Sequence, residues 1–166
     1  MLAVLPGRLL LKRGIVSEVK DAKMQVQPAG IDLTVGNIAS FITGPSFLVD
    51  SIRPSETREA TLHGTAYSLR SGSYVLTFAE RIEMPADCCG LVLPRSSLLR
   101  SGVAIHTALW DPGYKGRGKV LLTVLTAKGA RMSLGARVAQ LIVLKLSGRP
   151  HSAYSGQYQG EGLRTT

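Results

Sequence analysis

The sequence predicts an all-β domain of the sandwich or barrel type with one or two short helices. Apolar and polar residues alternate in several short runs, which is the pattern of half-buried strands. Gly or Pro stands between most of these runs, so that close turns join the strands. A chain of 166 residues is long enough for a hydrophobic core of its own. We therefore expect a single all-β domain over residues 1–166.

The first predicted element is a short amphipathic helix near the N-terminus. Leucines at positions 9–11 are flanked by the cations Arg8, Lys12 and Arg13. Gly14 stands where the C-cap of a helix would lie.

The strands are predicted from Ile31 onward. The alternating runs are 31–35, 66–69, 74–78 and, in part, 139–146. Two runs, 119–126 and 138–146, are richer in Val, Ile and Leu than half-buried strands usually are. They predict either central strands buried on both faces or strands at a subunit interface.

Cysteine usage and hydropathy predict a soluble, cytoplasmic protein. The two cysteines, Cys88 and Cys89, are adjacent, which suits neither a mutual bridge nor a disulfide framework. Residues 1–5 are too short for the apolar region of a signal peptide and lack its basic leader. No apolar run approaches the ~20 residues of a membrane span.

The positive charge of the chain lies entirely in its second half. Residues 1–87 hold nine Lys or Arg and nine Asp or Glu, whereas residues 88–166 hold eleven Lys or Arg and two acids, Asp111 and Glu161. A basic field of this kind attracts polyanionic ligands, and Asp111 is an isolated carboxylate within it. The alternative is that Asp111 only begins a β-turn with Pro112 and Gly113.

A sequence pI near 10.0 also raises the question of a nucleic-acid partner. Aromatic residues make up 5% of the chain, the cations are spread singly, and no helix-turn-helix, zinc-finger or RNP pattern occurs. Nucleic-acid binding is therefore disfavoured.

A candidate phosphate site begins at Arg95. Ser96 and Ser97 can cap a helix, and residues 97–100 have the length of one helical turn that ends at Gly102. Free backbone N–H groups, a hydroxyl and the guanidinium groups of Arg95 and Arg100 would together bind phosphate. An ordinary surface turn is the alternative.

Two polar features leave their role open. Gln140 lies within an apolar run and is either a satisfied core amide or a ligand contact. Residues 154–164 lack apolar periodicity and are rich in Gly, Tyr and Gln. They are either a frayed end or a flap that orders over a ligand.

Five motifs together resemble the dUTPase and dCTP deaminase superfamily, most closely the archaeal deaminase-like dUTPases. They occur in the order of that family and cover most of the chain, at residues 30–33, 94–100, 111–116, 137–140 and 158–160. The resemblance implies a distorted β-barrel or jelly-roll subunit with a C-terminal flap over the active site, at residues 154–166. It also implies a homotrimer with active sites at subunit boundaries. Mg²⁺ is the implied cofactor, carried by the nucleotide triphosphate and not by metal ligands of the protein.

The resemblance gives roles to the motif residues. Asp111 matches the aspartate that activates the attacking water, and Asp32 matches a residue that supports the arginines or the metal-bound water. The positions that match triphosphate or substrate contacts are Arg95, Ser96, Ser97, Arg100 and, from a neighbouring subunit, Gln140.

The nucleoside is held by other motifs in the same resemblance. Tyr114 matches the ring packed against deoxyribose, where a 2′-hydroxyl would clash. Uracil is read mainly by backbone groups of the hairpin at residues 106–108, which includes Thr107. Tyr158 and Gln159 match flap residues that close over the nucleotide, although Gln157 stands where related tails often carry Lys.

The resemblance allows two activities, and the residues favour one of them. The deaminases of the family need a glutamate on the strand after the aspartate turn, where this chain has Leu121, or Thr123 if the alignment shifts by two residues. The His-x-Glu and Cys-x-x-Cys pattern of zinc deaminases does not occur either. The implied function is dUTP diphosphatase, which yields dUMP for dTMP synthesis and keeps uracil out of DNA. The alternatives are a dCTP deaminase or bifunctional enzyme, and a non-catalytic nucleotide- or nucleic-acid-binding module.

Overall fold

The chain is built mainly from antiparallel strands. The computed structural model describes residues 3–163, so that Met1 and Leu2 of the N-terminal segment lie outside the described residues. The helices are α1 (Gly7–Lys12), α2 (Ala22–Gln25) and α3 (Ser96–Leu99). The strands are β1 (Ala3–Val4), β2 (Val16–Ser17), β3 (Val26–Gln27), β4 (Gly30–Phe41), β5 (Ser46–Leu48), β6 (Ser51–Arg53), β7 (Thr57–Glu59), β8 (Leu62–His63), β9 (Ala66–Leu69), β10 (Gly72–Phe78), β11 (Arg81–Glu83), β12 (Cys88–Pro94), β13 (Val103–His106), β14 (Lys115–Gly116), β15 (Lys119–Val124), β16 (Ala130–Ser133) and β17 (Arg137–Lys145).

One curled sheet of nine strands forms most of the fold. Its path runs β1-β17-β4-β10-β15-β13, while β12 pairs with β17, and β3 and β7 pair with β4. Two three-stranded sheets, β14-β11-β2 and β16-β9-β8, and the hairpin of β5 and β6 complete the architecture. The prediction of an all-β fold with a few short helices is confirmed.

The predicted strands lie where the alternation placed them. The runs 31–35, 66–69, 74–78 and 139–145 fall within β4, β9, β10 and β17, respectively. Buried apolar side chains of these strands, among them Leu33, Leu76 and Leu141, form the core with Phe78. In β4, however, Asp32 and Thr34 between the apolar positions are buried as well, so this part of the strand is covered on both faces.

The N-terminal helix is also confirmed. Leu10 is fully buried, and the helix ends at Lys12 with Arg13 as its C-cap. Gly14 follows with φ of 66°, and its N–H donates to the carbonyl of Leu11, so the glycine ends the helix as predicted.

No helix within residues 3–163 is long and apolar enough to cross a membrane.

The prediction that the two apolar runs are buried on both faces is wrong. In β15, Val120, Leu122 and Val124 are buried, whereas Leu121 is 37% exposed. In β17, the residues between the buried positions are only half-buried. The reason is that the described elements of this chain do not fully cover the second face of these two strands. The other alternative, a subunit interface, stays a prediction.

Residues 44–63, which have no predicted role, form the hairpin of β5 and β6 and the short strands β7 and β8. The hairpin carries exposed apolar side chains. Phe47 is 72% exposed, Ile52 is 62% exposed, and Val49 is fully exposed.

A buried aromatic cluster fixes the path of the chain before β15. The Trp110 ring stacks on Tyr114 with centroids 5.7 Å apart and meets the edge of Phe78 at 6.2 Å. Gly118 lies directly against the same ring, and a Cβ atom at Gly118 would overlap the Trp110 side chain. Only a residue without a side chain fits this contact.

We expect Gly118→Ala to destabilise the protein by about 1–3 kcal/mol, because the added methyl group overpacks a rigid aromatic contact. Urea unfolding at constant m-value measures the change. Gly148→Ala is the matched control, since a Cβ there meets nothing within 4 Å. Equal midpoints for the two variants would show that Trp110 moves aside without loss.

Candidate active site

Asp111 begins a tight turn whose geometry is set by its neighbours. The Tyr114 N–H donates to the Asp111 carbonyl at 3.1 Å, and Gly113 has φ of 86°. With Pro112 in the second position, this is the geometry of a type II turn, which requires positive φ at its third residue. The Asp111 side chain is exposed. The turn interpretation and the functional interpretation of this segment are therefore compatible.

Backbone hydrogen bonds hold both sides of the turn. Trp110 exchanges two bonds with Gly90 of β12, of 2.8 and 3.0 Å. The Gly113 N–H donates to the Met84 carbonyl at 3.0 Å, and the Met84 N–H donates to the Tyr114 carbonyl at 2.8 Å. The position of the Asp111 carboxylate thus depends on main-chain atoms fixed in the sheet.

A cavity of about 530 Å³ opens beside the turn. Most of its wall is apolar or aromatic, with a few polar groups, which is typical of sites for small organic ligands. Its wall includes His106, Asp111, Tyr114, Lys119, Leu121, Tyr158 and Glu161. Ala108 also lines the cavity, so the predicted hairpin at residues 106–108 and the predicted Asp111 turn meet there.

Tyr114 forms the floor of this region. The ring is buried between Trp110 and Tyr154, whose centroid lies 6.0 Å away. Its hydroxyl donates to Glu161 Oε1 at 2.8 Å. Burial and the nearby Glu161 carboxylate raise the pKa of Tyr114 far above its ordinary value. Tyr114 is therefore a protonated hydrogen-bond donor at any physiological pH.

Glu161 is a cavity residue that the sequence analysis did not assign. Burial raises its pKa, while the hydrogen bond from Tyr114 and the charge and backbone N–H of Lys119 lower it. One signal was available in the sequence, since Glu161 and Asp111 are the two acids of the basic half.

The C-terminal segment docks on the Asp111 turn of its own chain. The Tyr154 N–H donates to the Pro112 carbonyl, the Gly160 N–H to the Lys115 carbonyl, and the Arg117 N–H to the Glu161 carbonyl, each at 2.8 Å. Tyr158, 48% exposed, lies at the cavity rim. Residues 164–166 of the predicted flap lie outside the described residues.

The Gln159 amide is fully engaged in this docking. Its Oε1 accepts from the Lys115 N–H at 2.8 Å, and its Nε2 donates to the Gly113 carbonyl at 2.9 Å. Gln159 therefore fastens the segment to the turn in this structure, a contact that sequence reasoning did not foresee.

A second group of predicted residues surrounds Asp32. This carboxylate is 2% exposed, forms an ion pair with Arg95 Nε at 3.3 Å and accepts a hydrogen bond from Arg137 Nη1 at 3.1 Å. Gln140 lies opposite Asp32 in the register of β4 and β17. Burial raises the pKa of Asp32, and the two arginines oppose that rise. Arg137 was part of a motif but was not assigned to the site by the sequence.

The helical turn after Arg95 differs from its prediction in one respect. It spans Ser96–Leu99, but its N-cap is Arg95, and no side chain caps it. The prediction that Ser96 and Ser97 cap the helix is therefore wrong, because both residues already lie inside the turn. Gly102 ends the segment with φ of 70°, as predicted. Ser96, Ser97 and Arg100 are exposed.

The two groups do not meet within one chain. The described wall of the Asp111 cavity does not include the predicted phosphate-binding residues Arg95, Ser96, Ser97, Arg100 and Gln140. Thr107 is one link between them, because its hydroxyl donates to the Val92 carbonyl of β12, the strand that leads to Arg95. Within residues 3–163, no group of three or more His, Cys, Asp or Glu side chains could hold a metal ion.

Comparisons with known proteins agree with these features. The family model described as dCTP deaminase-like matches residues 7–146. A relative from Aeropyrum pernix, named probable deoxyuridine 5′-triphosphate nucleotidohydrolase, is 42% identical over 96% of this chain and 99% of its own length. Further archaeal relatives with the same name are 31–39% identical.

Solved structures share the fold. A 2′-deoxycytidine 5′-triphosphate deaminase from Agrobacterium tumefaciens superposes with a TM-score of 0.64 at 22% identity, over 87% of this chain and about half (48%) of that one. A mutant dUTPase from phage phi11 of S. aureus has a TM-score of 0.52 at 14% identity, over 95% of this chain and 99% of its own. That phage structure describes the coordination of a structural Mg(II) ion.

We expect Glu161→Gln to stabilise the protein at pH 8. Burial raises the pKa of Glu161 in the folded state, so the folded protein holds a proton there that the unfolded chain has released, and stability falls as pH rises through this window. Urea unfolding at pH 8 and at pH 4 tests this. The advantage of the variant should shrink at pH 4, and an advantage that grows on acidification would contradict the assignment.

Proposed function

Because the chain belongs to the dCTP deaminase-like family, we propose that it is a dUTP diphosphatase that hydrolyses dUTP to dUMP and pyrophosphate. The names of its archaeal relatives support this activity. The dUMP would supply dTMP synthesis in the cytoplasm, and removal of dUTP would keep uracil out of DNA.

One observation carries the choice between the two activities of the family. The cavity wall next to Asp111 contains Leu121, at the position that the resemblance assigns to the glutamate of the deaminases. A leucine side chain cannot move protons at a cytosine ring. Hydrolysis of the triphosphate needs no group at that point, and it needs the carboxylate that Asp111 provides.

In the proposed reaction, Asp111 acts as the general base. Its carboxylate takes a proton from a water molecule, the water oxygen bonds to the α-phosphorus, and the bond from that phosphorus to the bridging α–β oxygen breaks. The departing pyrophosphate takes up the negative charge. Arg95, Arg100 and the exposed hydroxyls of Ser96 and Ser97 would bind the phosphate oxygens and stabilise this charge.

Mg²⁺ would enter bound to the triphosphate as part of the substrate. The donor set of the protein fits this arrangement, because Asp32 is already shared by two arginines and Asp111 has no second carboxylate in a metal-binding group among residues 3–163. When bound, the ion offsets phosphate charge.

The nucleoside would occupy the cavity. The Tyr114 ring would pack against deoxyribose and exclude a 2′-hydroxyl, and backbone groups at residues 106–108 would read uracil. Tyr158 would close the rim, while Gln159 would hold the flap against the turn.

We also propose that the site is shared between the subunits of a homotrimer. The phosphate-binding residues and the Asp111 cavity lie on separate surfaces of one chain, so a neighbouring copy would have to contribute Arg95, Arg100 and Gln140. Exposed leucines support such contacts. Leu93 and Leu99, 52% and 55% exposed, flank the Arg95 segment.

Incubation of the purified protein with dUTP and Mg²⁺ should yield dUMP and pyrophosphate, as measured by chromatography. Asp111→Asn should lower the rate at least a hundredfold without changing the affinity for a non-hydrolysable dUTP analogue, because only the proton acceptor is lost. A near-native rate in this variant would remove Asp111 from the mechanism. Ammonia release from dCTP would instead establish deamination.

Mixing two inactive variants tests the shared site. If Asp111→Asn chains and Arg95→Ala chains are unfolded together and refolded, about a quarter of the sites should combine an intact Asp111 with an intact Arg95 from another copy. Hydrolysis should therefore return in the mixture but not in either variant refolded alone. A mixture without activity would place the complete site in one chain.

A further inference from the structure

Four polar or charged side chains are buried in residues 3–163. They are Gln25, Asp32, Thr34 and Glu80. Hydrogen bonds join three of these side chains to one another, and the fourth residue, Asp32, is joined to them through its backbone carbonyl. Asp32 has its two arginine partners, but Glu80 is fully buried and forms no ion pair with a described residue. Burial of a carboxylate without a cation is unfavourable unless hydrogen bonds replace the lost water. Neither the core nor the proposed reaction explains why it is there.

Three donors satisfy the Glu80 carboxylate. Its Oε1 accepts from Gln25 Nε2 at 2.8 Å and from Thr34 Oγ1 at 2.7 Å, and its Oε2 accepts from the Thr34 N–H at 2.9 Å. Two of these partners are N–H groups that bond to different oxygens, and the NH₂ group of an amide could not replace an accepting oxygen. Glu80 is therefore a specific acceptor at this position.

The contact between Glu80 and Thr34 lies where the pairing of β4 and β17 is irregular. Thr34 is opposite Arg137 where the register of β4 and β17 shifts. Bulges of this kind re-aim a side chain and leave a backbone group without its ladder partner. The Glu80 carboxylate supplies an acceptor to the Thr34 N–H beside the bulge that directs Arg137 toward Asp32.

The contact between Glu80 and Gln25 leads to Arg137 as well, through α2. Gln25 Nε2 also donates to the Asp32 carbonyl at 2.9 Å, so Glu80 and Asp32 share this amide. Gln25 ends α2, and the preceding carbonyl, that of Met24, accepts from Arg137 Nη1 at 2.7 Å. Both acceptors of Arg137, Asp32 and Met24, are thus held by elements that Glu80 fastens.

We propose that Glu80 is a positioning residue for phosphate binding. By fixing Thr34 and Gln25, it holds the Asp32 carboxylate and the Met24 carbonyl in place, and these orient Arg137 and Arg95 toward the triphosphate. The inference rests on the proposed function for its ligand, but it concerns binding of the phosphate chain and not hydrolysis.

The test is binding of inorganic tripolyphosphate and of deoxyuridine to Glu80→Gln, measured by calorimetry. The amide leaves either Gln25 or Thr34 facing a second donor, so we expect tripolyphosphate to bind about tenfold more weakly. Deoxyuridine, a ligand for the separate Asp111 cavity, should bind within twofold of the parent. Unchanged tripolyphosphate binding in the folded variant would overturn the proposal.

The direction of the effect separates positioning from simple electrostatics. Removal of one negative charge alone should tighten the binding of an anion. Glu59→Gln is the matched control, because this exposed carboxylate of β7 also accepts an amide hydrogen bond, from Asn37. We expect tripolyphosphate binding by this control to be unchanged or slightly tighter. Tighter binding by Glu80→Gln would contradict the proposal.

A second variant covers the case in which Glu80→Gln does not fold. Gln25→Met removes the link to Asp32 without a change of charge and should weaken tripolyphosphate binding in the same direction, again without an effect on deoxyuridine. Equal losses for the two ligands would indicate a general structural role and overturn the proposal. If tripolyphosphate binding weakens as expected but dUTP is not hydrolysed by the parent, the proposed reaction fails and the positioning role stands.

Discussion

The buried carboxylate of Asp32 joins three segments that are far apart in the sequence. It lies on β4 and pairs with Arg95 at the end of β12 and with Arg137 at the start of β17. Loss of one partner of a buried ion pair is strongly destabilising, whereas a satisfied cluster fixes its members in one geometry. The strands that carry the proposed phosphate-binding residues are therefore held in register by the same charges that are proposed to meet the ligand.

The two halves of the proposed site are built by different physical means. The Asp111 half depends on backbone hydrogen bonds and on the stack of Trp110 and Tyr114, which tolerate little movement. The Arg95 half depends on charge and has exposed side chains. A rigid aromatic cavity suits recognition of a nucleoside, and long cationic side chains suit a flexible triphosphate.

Local pattern was sufficient to predict the strands with clear alternation or apolar runs, the first helix and Gly102 as a helix stop, while the roles of the site residues stay a prediction. What failed or was missing depends on contacts across the sequence. Glu161 reaches Tyr114 over 47 residues, and the neighbouring flap motif does not show that the Glu161 side chain turns toward that ring. The Val, Ile and Leu content of β15 did not reveal that its second face is incompletely covered. The capping prediction failed because two serines in a row do not show which residue starts the helical turn.

Most hydrogen bonds between the C-terminal segment and the Asp111 turn use main-chain atoms of the turn, at the carbonyls of Pro112, Gly113 and Lys115 and the N–H groups of Lys115 and Arg117. Apart from Tyr114, which contacts Glu161 and Tyr154, these contacts do not depend on which side chains the turn displays. The other outward-facing positions of the turn can therefore change during evolution, and the surface charge beside the cavity can change while these contacts are retained. Proline is the exception at positions 115 and 117, since it would delete the donor that the segment needs.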